Sequence, residues 1–183
     1  MLLLLLAPFI IYAQKQVKLI KSDSKLTIKG TSSLHDWEEK AHQFDCDLQL
    51  LAKGNELISI DKGSFWCIVK SIESGNSLMN SKTYEALKAN IHPELKFILK
   101  NVDKISLTGG KYTCTISGDV NIAGVTKNIS IPISGTIQNN KLTVNGSTVI
   151  DMPSYGVVPP TALMGTIKTG REVTVSFSLS FLL

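Results

Sequence analysis

The chain has 183 residues, 43% of them hydrophobic and 19% charged, which suits one domain with a real core and excludes a disordered chain. Its formal net charge of +4 comes from lysines scattered over many segments rather than from a basic block. That distribution excludes the electrostatic footprint of a nucleic-acid binder and leaves only a weak attraction to anionic surfaces, of the kind that supports peripheral membrane contact.

Residues 1–13 stand apart: Leu2 to Leu6 form an unbroken run, Phe9, Ile10 and Ile11 extend it, and the small Ala13 precedes the polar Gln14. The run is too short for a bilayer, which needs about 20 apolar residues. It reads as the apolar core and cleavage site of a secretory signal peptide, although no Lys or Arg precedes the leucines. The expectation is an exported protein, periplasmic or secreted, whose mature chain is a single domain over 14–183.

From there the chain alternates. Residues 25–29 place Leu26 and Ile28 on one side, and 43–51 place Phe44, Cys46, Leu48 and Leu50 on one side. A short strand over 57–60 follows the turn at Lys53, Gly54 and Asn55. A longer one over 64–72 is apolar on both phases, with Trp66 and Ile68 on the outer one, until Glu73 to Asn76 break it. Residues 81–89 are the one helical stretch, with Ser81 as cap and Pro93 forbidding a long continuation. A lone helix cannot form a domain, so it is expected across a barrel opening with Tyr84 and Leu87 turned inward.

Strands resume over 95–102, 112–122, 126–137 and 141–150, joined by tight turns at Gly109-Gly110, Ala123-Gly124 and Asn139-Asn140. The last, 171–183, sets Val173, Val175, Phe177, Leu179 and Phe181 against Thr174, Ser176, Ser178 and Ser180. About eight strands predict an all-β, antiparallel barrel, whose interior is just wide enough for one small ligand or for a plug of side chains.

Cys46, Cys67 and Cys114 fall on the apolar phase of their strands, as buried thiols or as one disulfide with a thiol left over. Neither they nor the scattered His35, His42 and His92 have metal-site spacing. His35 and Asp36 suggest an acid–base pair, but neighbours on a strand face opposite sides, so this segment is expected to cap the barrel with Trp37 as its apolar anchor. No serine sits in a nucleophile elbow and no glycine loop could cradle phosphate, which leaves an enzyme as the weakest class.

Several stretches resemble the YceI-like family in the family's own order. Gly118 to Ile129 is similar to its strand, Gly-Val-Thr turn (here Gly124-Val125-Thr126) and basic residue (here Lys127). Ser71-Ile72-Glu73-Ser74-Gly75-Asn76 resembles its Ser-Ile-Asp-Thr-Gly-Asn, and Met79 to Phe97 resembles its helix followed by a Pro-x-Ile-x-Phe strand. Gly30 to Trp37 looks like a form found among exported members. Met152 to Val157 is similar to its Arg-x-Asp-Phe-Gly stretch but departs at Met152 and Pro153, where the family often has Arg and a small residue, at the cavity mouth. The resemblance covers roughly 26–182.

It implies an eight-stranded, lipocalin-like barrel with one short helix near an opening. It also implies a non-catalytic carrier of a long apolar lipid, an isoprenoid or a quinone-like molecule, with no cofactor besides. A prenyl tail needs only a dry tube, because burying apolar surface yields about 25 cal/mol per Å². The binding residues are then the inward phase itself: Phe44, Leu48, Phe65, Val69, Leu87, Phe97, Ile131, Ile133, Val175, Phe177 and Leu179. The alternative is a barrel filled solidly by these side chains, acting through its outer face at Trp66 and Ile68 on a protein or a membrane surface. Monomer and homodimer both fit the sequence.

Overall fold

A computed structural model describes residues 14–183; the signal-like segment 1–13 lies outside the described residues. The strands, in chain order, are β1 (Lys15–Leu19), β2 (Lys25–Ser32), β3 (Trp37–Ala41), β4 (Phe44–Lys53), β5 (Glu56–Ile68) and β6 (Ile72–Glu73). The helix α1 (Ser77–Ala86) follows, and then come β7 (Glu94–Val102), β8 (Ser106–Thr108), β9 (Lys111–Ile122), β10 (Val125–Gln138), β11 (Lys141–Asp151), β12 (Thr161–Ala162) and β13 (Ile167–Leu182). Alternation of apolar and polar residues leaves each strand with one face to bury, and curling the sheet until it meets itself buries them all. Eight strands close this way, in the order β1, β4, β5, β7, β9, β10, β11, β13, and β13 returns to β1 through the pairs Lys18–Leu182 and Leu19–Phe181. Every pairing is antiparallel. The expected eight-stranded barrel with one short helix is therefore the fold.

The sixteen-residue β13 carries two partners along one edge, β1 near its C-terminus and β2 from Thr169 to Ser178. Ser24 pins the 3-10 turn between them: its hydroxyl donates to the Ile20 carbonyl at 2.8 Å and accepts from the Ser180 N–H at 3.0 Å. Beyond β2 the sheet widens by β3 and β6, which pair in turn. This extension and α1 frame one end of the barrel.

Besides the short β6, β8 and β12, which the expected set lacks, four elements differ from the sequence expectation. β1 and β3 lie outside the expected set, because Lys15 to Leu19 and Trp37 to Ala41 are rich in charge. β5 is one strand rather than two, since bulges opposite Gln49–Leu50 and Leu51–Ala52 absorb the phase slips that keep Leu57, Ile60 and Phe65 all inward. It ends at Ile68, where a 3-10 turn, Val69–Ser71, takes over. The helix starts at Ser77, not Ser81, because the Asn76 side chain accepts from the N–H groups of Leu78 and Met79 at 3.0 and 3.2 Å. It stops before the predicted Ala89 because Lys88 takes a left-handed conformation, φ 54°.

The three expected tight turns all form. Each of Gly109-Gly110, Ala123-Gly124 and Asn139-Asn140 has two successive residues at positive φ, as a two-residue hairpin of the primed type requires. Lys127, the basic residue of the hairpin motif, sits 5.7 Å above the ring of the buried Tyr155 and so ties that hairpin to the 152–155 turn. Cys46, Cys67 and Cys114 are free thiols, and burial pushes Cys46 and Cys67 up to about 12.

The end of the barrel opposite α1 is shut. Leu50 and Leu142 are 0% exposed and Phe181 is 1% exposed, so buried side chains from three staves close it. Tyr112 staples the β4–β5 hairpin to this floor: its hydroxyl donates to the Asn55 carbonyl at 2.5 Å and accepts from the Leu57 N–H at 3.1 Å. Tyr112→Phe leaves that buried N–H without a partner and is expected to cost about 1–3 kcal/mol. A urea midpoint equal to the parent's at equal slope would show that the staple contributes nothing.

Candidate functional site

Side chains on one face of β13 change their surroundings along the strand. Phe181 and Leu179 are buried against neighbours, whereas Val175 and Phe177 are only half-buried although they point into the barrel. An inward residue with exposed surface faces a void. The void is an inner chamber of about 190 Å³, lined by Leu48, Phe65, Phe97, Ile131, Ile133, Val175, Phe177 and Leu179 together with Ile60, Leu99, Ile116 and Ile129. Its free wall is entirely apolar. A trapped water needs two to four polar partners, and apolar cavities of about 150 Å³ stay dry and take up hydrocarbon guests. Two glycines keep the lumen clear. A Cβ on Gly146 would lie 2.3 Å from the Phe177 ring tip, and one on Gly118 would lie 2.6 Å from that of Phe97, so both rings lie over bare backbone.

Leu95, Ile122, Ile150 and Val175 also form part of the wall of a second, outer chamber of about 290 Å³, so the two adjoin. α1 lies over it with Met79, Lys82, Thr83 and Ala86, spaced three and four apart on one helix face. Ile28, Trp37 and Glu39 line it from β2 and β3, and Met152, Tyr155 and Val157 from the turn after β11. At its edge Leu34 and Leu78 are exposed.

Of the eleven residues singled out from the sequence, eight line the inner chamber and Leu87, the residue that caps α1, lines the outer one. Phe44 and Val69 line neither. Phe44 packs beside the wall, its ring centroid 5.9 Å from that of Phe65. Val69 is 0% exposed in the 3-10 turn, where the strand's alternation has ended and its N–H donates to the Pro93 carbonyl at 2.9 Å. Tyr84 does not line the lumen either, because the helix face turned to it carries Met79, Thr83 and Ala86. Trp66 and Ile68 are half-buried on the outer face, Trp66 between its strand partners Asp45 and Lys96.

His35 Nδ1–H donates to the main-chain carbonyl of Asp36 at 2.7 Å, so no imidazole–carboxylate pair forms there. Trp37 anchors the segment: its ring covers Gly30, where a Cβ would come within 2.2 Å, and its Nε1–H donates to the Thr31 carbonyl at 3.0 Å. Among the described residues no three His, Cys, Asp or Glu side chains come together as a metal site.

The feature missed from the sequence is Glu39. It is 2% exposed, faces inward opposite Ile28, and accepts a hydrogen bond at Oε1 from the Thr83 hydroxyl at 2.7 Å. Burial pushes its carboxyl up from 4.5 to about 7, and the Thr83 bond offsets this only in part. Below about pH 4.5 both folded and unfolded chains hold the proton and stability is at its fullest. As pH climbs from there to about 7 the unfolded chain alone releases it, and stability falls by on the order of 3 kcal/mol. Glu39→Gln is expected to remove that decline, and a denaturation series at pH 5 and pH 8 with the same slope in both proteins would assign it elsewhere.

The family model for the YceI-like domain matches residues 18–181. The chain belongs to the YceI-like domain family. Its fold is similar to that of BcnA from Burkholderia cenocepacia, at 17% identity and a TM-score of 0.71 over 88% of this chain and 98% of that one. It is also similar to a polyisoprenoid binding domain from Saccharophagus degradans implicated in plant cell wall breakdown, at 13% identity and a TM-score of 0.67 over 94% and 99%. A YceI protein of Campylobacter jejuni matches at 13% identity and a TM-score of 0.62 over 78% and 82%. No curated protein matches the chain.

Proposed function

We propose that this YceI-like chain carries an isoprenoid or similar long apolar amphiphile, tail in the inner chamber and head in the outer one. One observation carries the reading: a blind lumen with no polar surface in its depths adjoins, across shared wall residues, a chamber whose wall includes Glu39, Thr83, Asn76 and Lys82. Such a lumen favours a guest that is apolar along its length and polar at one end. The related fold of a polyisoprenoid binding domain supports the same class of guest.

The role is binding rather than turnover. His35 is engaged by a main-chain carbonyl, and Glu39 by a threonine hydroxyl, so neither stands beside a nucleophile. The protein acts outside the cytoplasm, a reading that rests on the signal-like residues 1–13; a mature protein whose first residue is not Gln14 would count against that cleavage.

Organic extraction of protein purified from its native source, followed by mass spectrometry, tests the carrier. A long apolar molecule at near-stoichiometric yield is the expected result. An empty extract, combined with failure of the delipidated protein to take up any prenyl compound, overturns it.

A further inference from the structure

We propose that Glu39, held by Thr83 in the outer chamber, hydrogen-bonds an uncharged hydroxyl head group and excludes phosphate-headed lipids. The inference rests on the carrier reading above and narrows its guest. Three observations lead to it.

First, the Glu39 carboxyl is built into the wall rather than left on the surface. It is 2% exposed, its Oε1 is occupied by Thr83, and among the described residues Oε2 has no hydrogen-bond donor although the residue lines the chamber. No buried side-chain oxygen of the described residues lacks a partner, so Oε2 keeps surface in the chamber; it is poorly solvated in that largely apolar wall, and a guest that supplies a donor recovers part of the cost.

Second, among the described residues the chamber holds no unpaired ammonium or guanidinium for a phosphate. The chain's single arginine, Arg171, is bound outside the chamber to Asp151 at 2.7 Å. Lys82 is the one ammonium in the outer wall among the described residues, and it turns to Glu85 at 3.3 Å.

Third, the other charged groups around Glu39 do not neutralise it. Lys29, on the facing strand β2, pairs with Glu38 at 3.1 Å on the outer side of the sheet, and Lys40 also reaches Glu38. On β6 Glu73 meets His42 at 3.9 Å, and the Tyr84 hydroxyl of α1 is raised by burial and by Glu73 and Glu39. His35 at the mouth gives Nδ1–H to a main-chain carbonyl. The Glu39 carboxyl thus presents negative or neutral character and never positive.

A hydroxyl fits such a carboxyl in both protonation states, donating to the carboxylate and accepting from the acid. An ammonium fits only the first state and a carbonyl only the second, while a phosphate is repelled by the first. Because Glu39 titrates near neutrality, of these four head groups the hydroxyl alone keeps its hydrogen bond on both sides of the transition.

The test titrates geranylgeraniol, geranylgeranyl monophosphate and squalene into the delipidated full chain and into Glu39→Gln and Glu39→Leu. At pH 8 the parent is expected to bind the alcohol at least about tenfold more tightly than the monophosphate, and Glu39→Gln to bring the two within about threefold. Glu39→Leu should weaken the alcohol about tenfold while squalene, which has no head group, binds as before and reports an intact lumen. Alcohol affinity should stay within about twofold between pH 5 and pH 8. Monophosphate binding equal to the alcohol in the parent, or a ratio unmoved by Glu39→Gln, overturns the head-group assignment while leaving the carrier intact. Uptake of none of the three overturns the carrier and this inference with it.

Discussion

Val175→Trp is expected to abolish uptake of a long apolar ligand while the barrel stays folded. Val175 is the residue of β13 that borders both chambers, so an indole there stands between them. Each five-carbon unit kept out of the inner chamber forfeits on the order of 3 kcal/mol of apolar burial, more than a hundredfold in affinity. Because the site is half-buried against a void, the added volume fills space rather than displacing neighbours, and cavity filling is neutral or mildly stabilising. Titration with geranylgeraniol and a thermal melt on the same sample check both halves. Retained affinity would mean that the tail never passes Val175. A collapse of the melt would mean that the lumen is already full.

Phe181→Ala is expected to cost about 3–5 kcal/mol, against a total stability of about 5–15 kcal/mol for a domain of this kind. Phe177→Ala, four residues earlier on the same face of the same strand, should cost no more than about half as much. The chemistry of the truncation is identical and the surroundings are not. Both rings border the inner chamber, but Phe181 is 1% exposed at its closed end, so its removal strips a fully packed ring from the floor. Phe177 is half-buried along the side wall, so its removal takes away fewer contacts. Denaturant midpoints at unchanged slope measure both, and equal losses would contradict the division of the barrel into a solid floor and a hollow middle.

The strands that close the barrel were legible wherever alternation ran for eight residues or more, as in β4, β9, β10, β11 and β13. It failed where the run was short and charged. Only Val17 and Leu19 mark β1, and only Trp37 and Ala41 mark β3. Neither pattern separates a strand from a solvated loop until the neighbouring edge of β13 or β2 supplies the hydrogen bonds. β5 failed differently, because two bulges shift its phase and periodicity assumes none.

The same limit hid Glu39. Read as a strand, Trp37, Glu39 and Ala41 share a face and put a carboxyl among apolar neighbours, a signal that Glu38 and Lys40 mask in the bare sequence. Phe44 has the inward phase of its strand, yet it packs beside Phe65 and lines neither chamber. Val69 lost its phase when β5 ended one residue before it.

Side-chain direction along a strand is a local property. The sequence by itself therefore determined that this chain makes antiparallel strands, where its hairpins turn, and which side chains face inward. Free volume is not local. It is set by how far apart eight closed strands hold residues distant in sequence, such as Phe97, Ile131 and Phe177, and by the floor that Leu50, Leu142 and Phe181 build together. Only the tertiary structure could decide which inward residues plug the barrel, which surround its lumen, and that a single buried carboxyl waits in the chamber above.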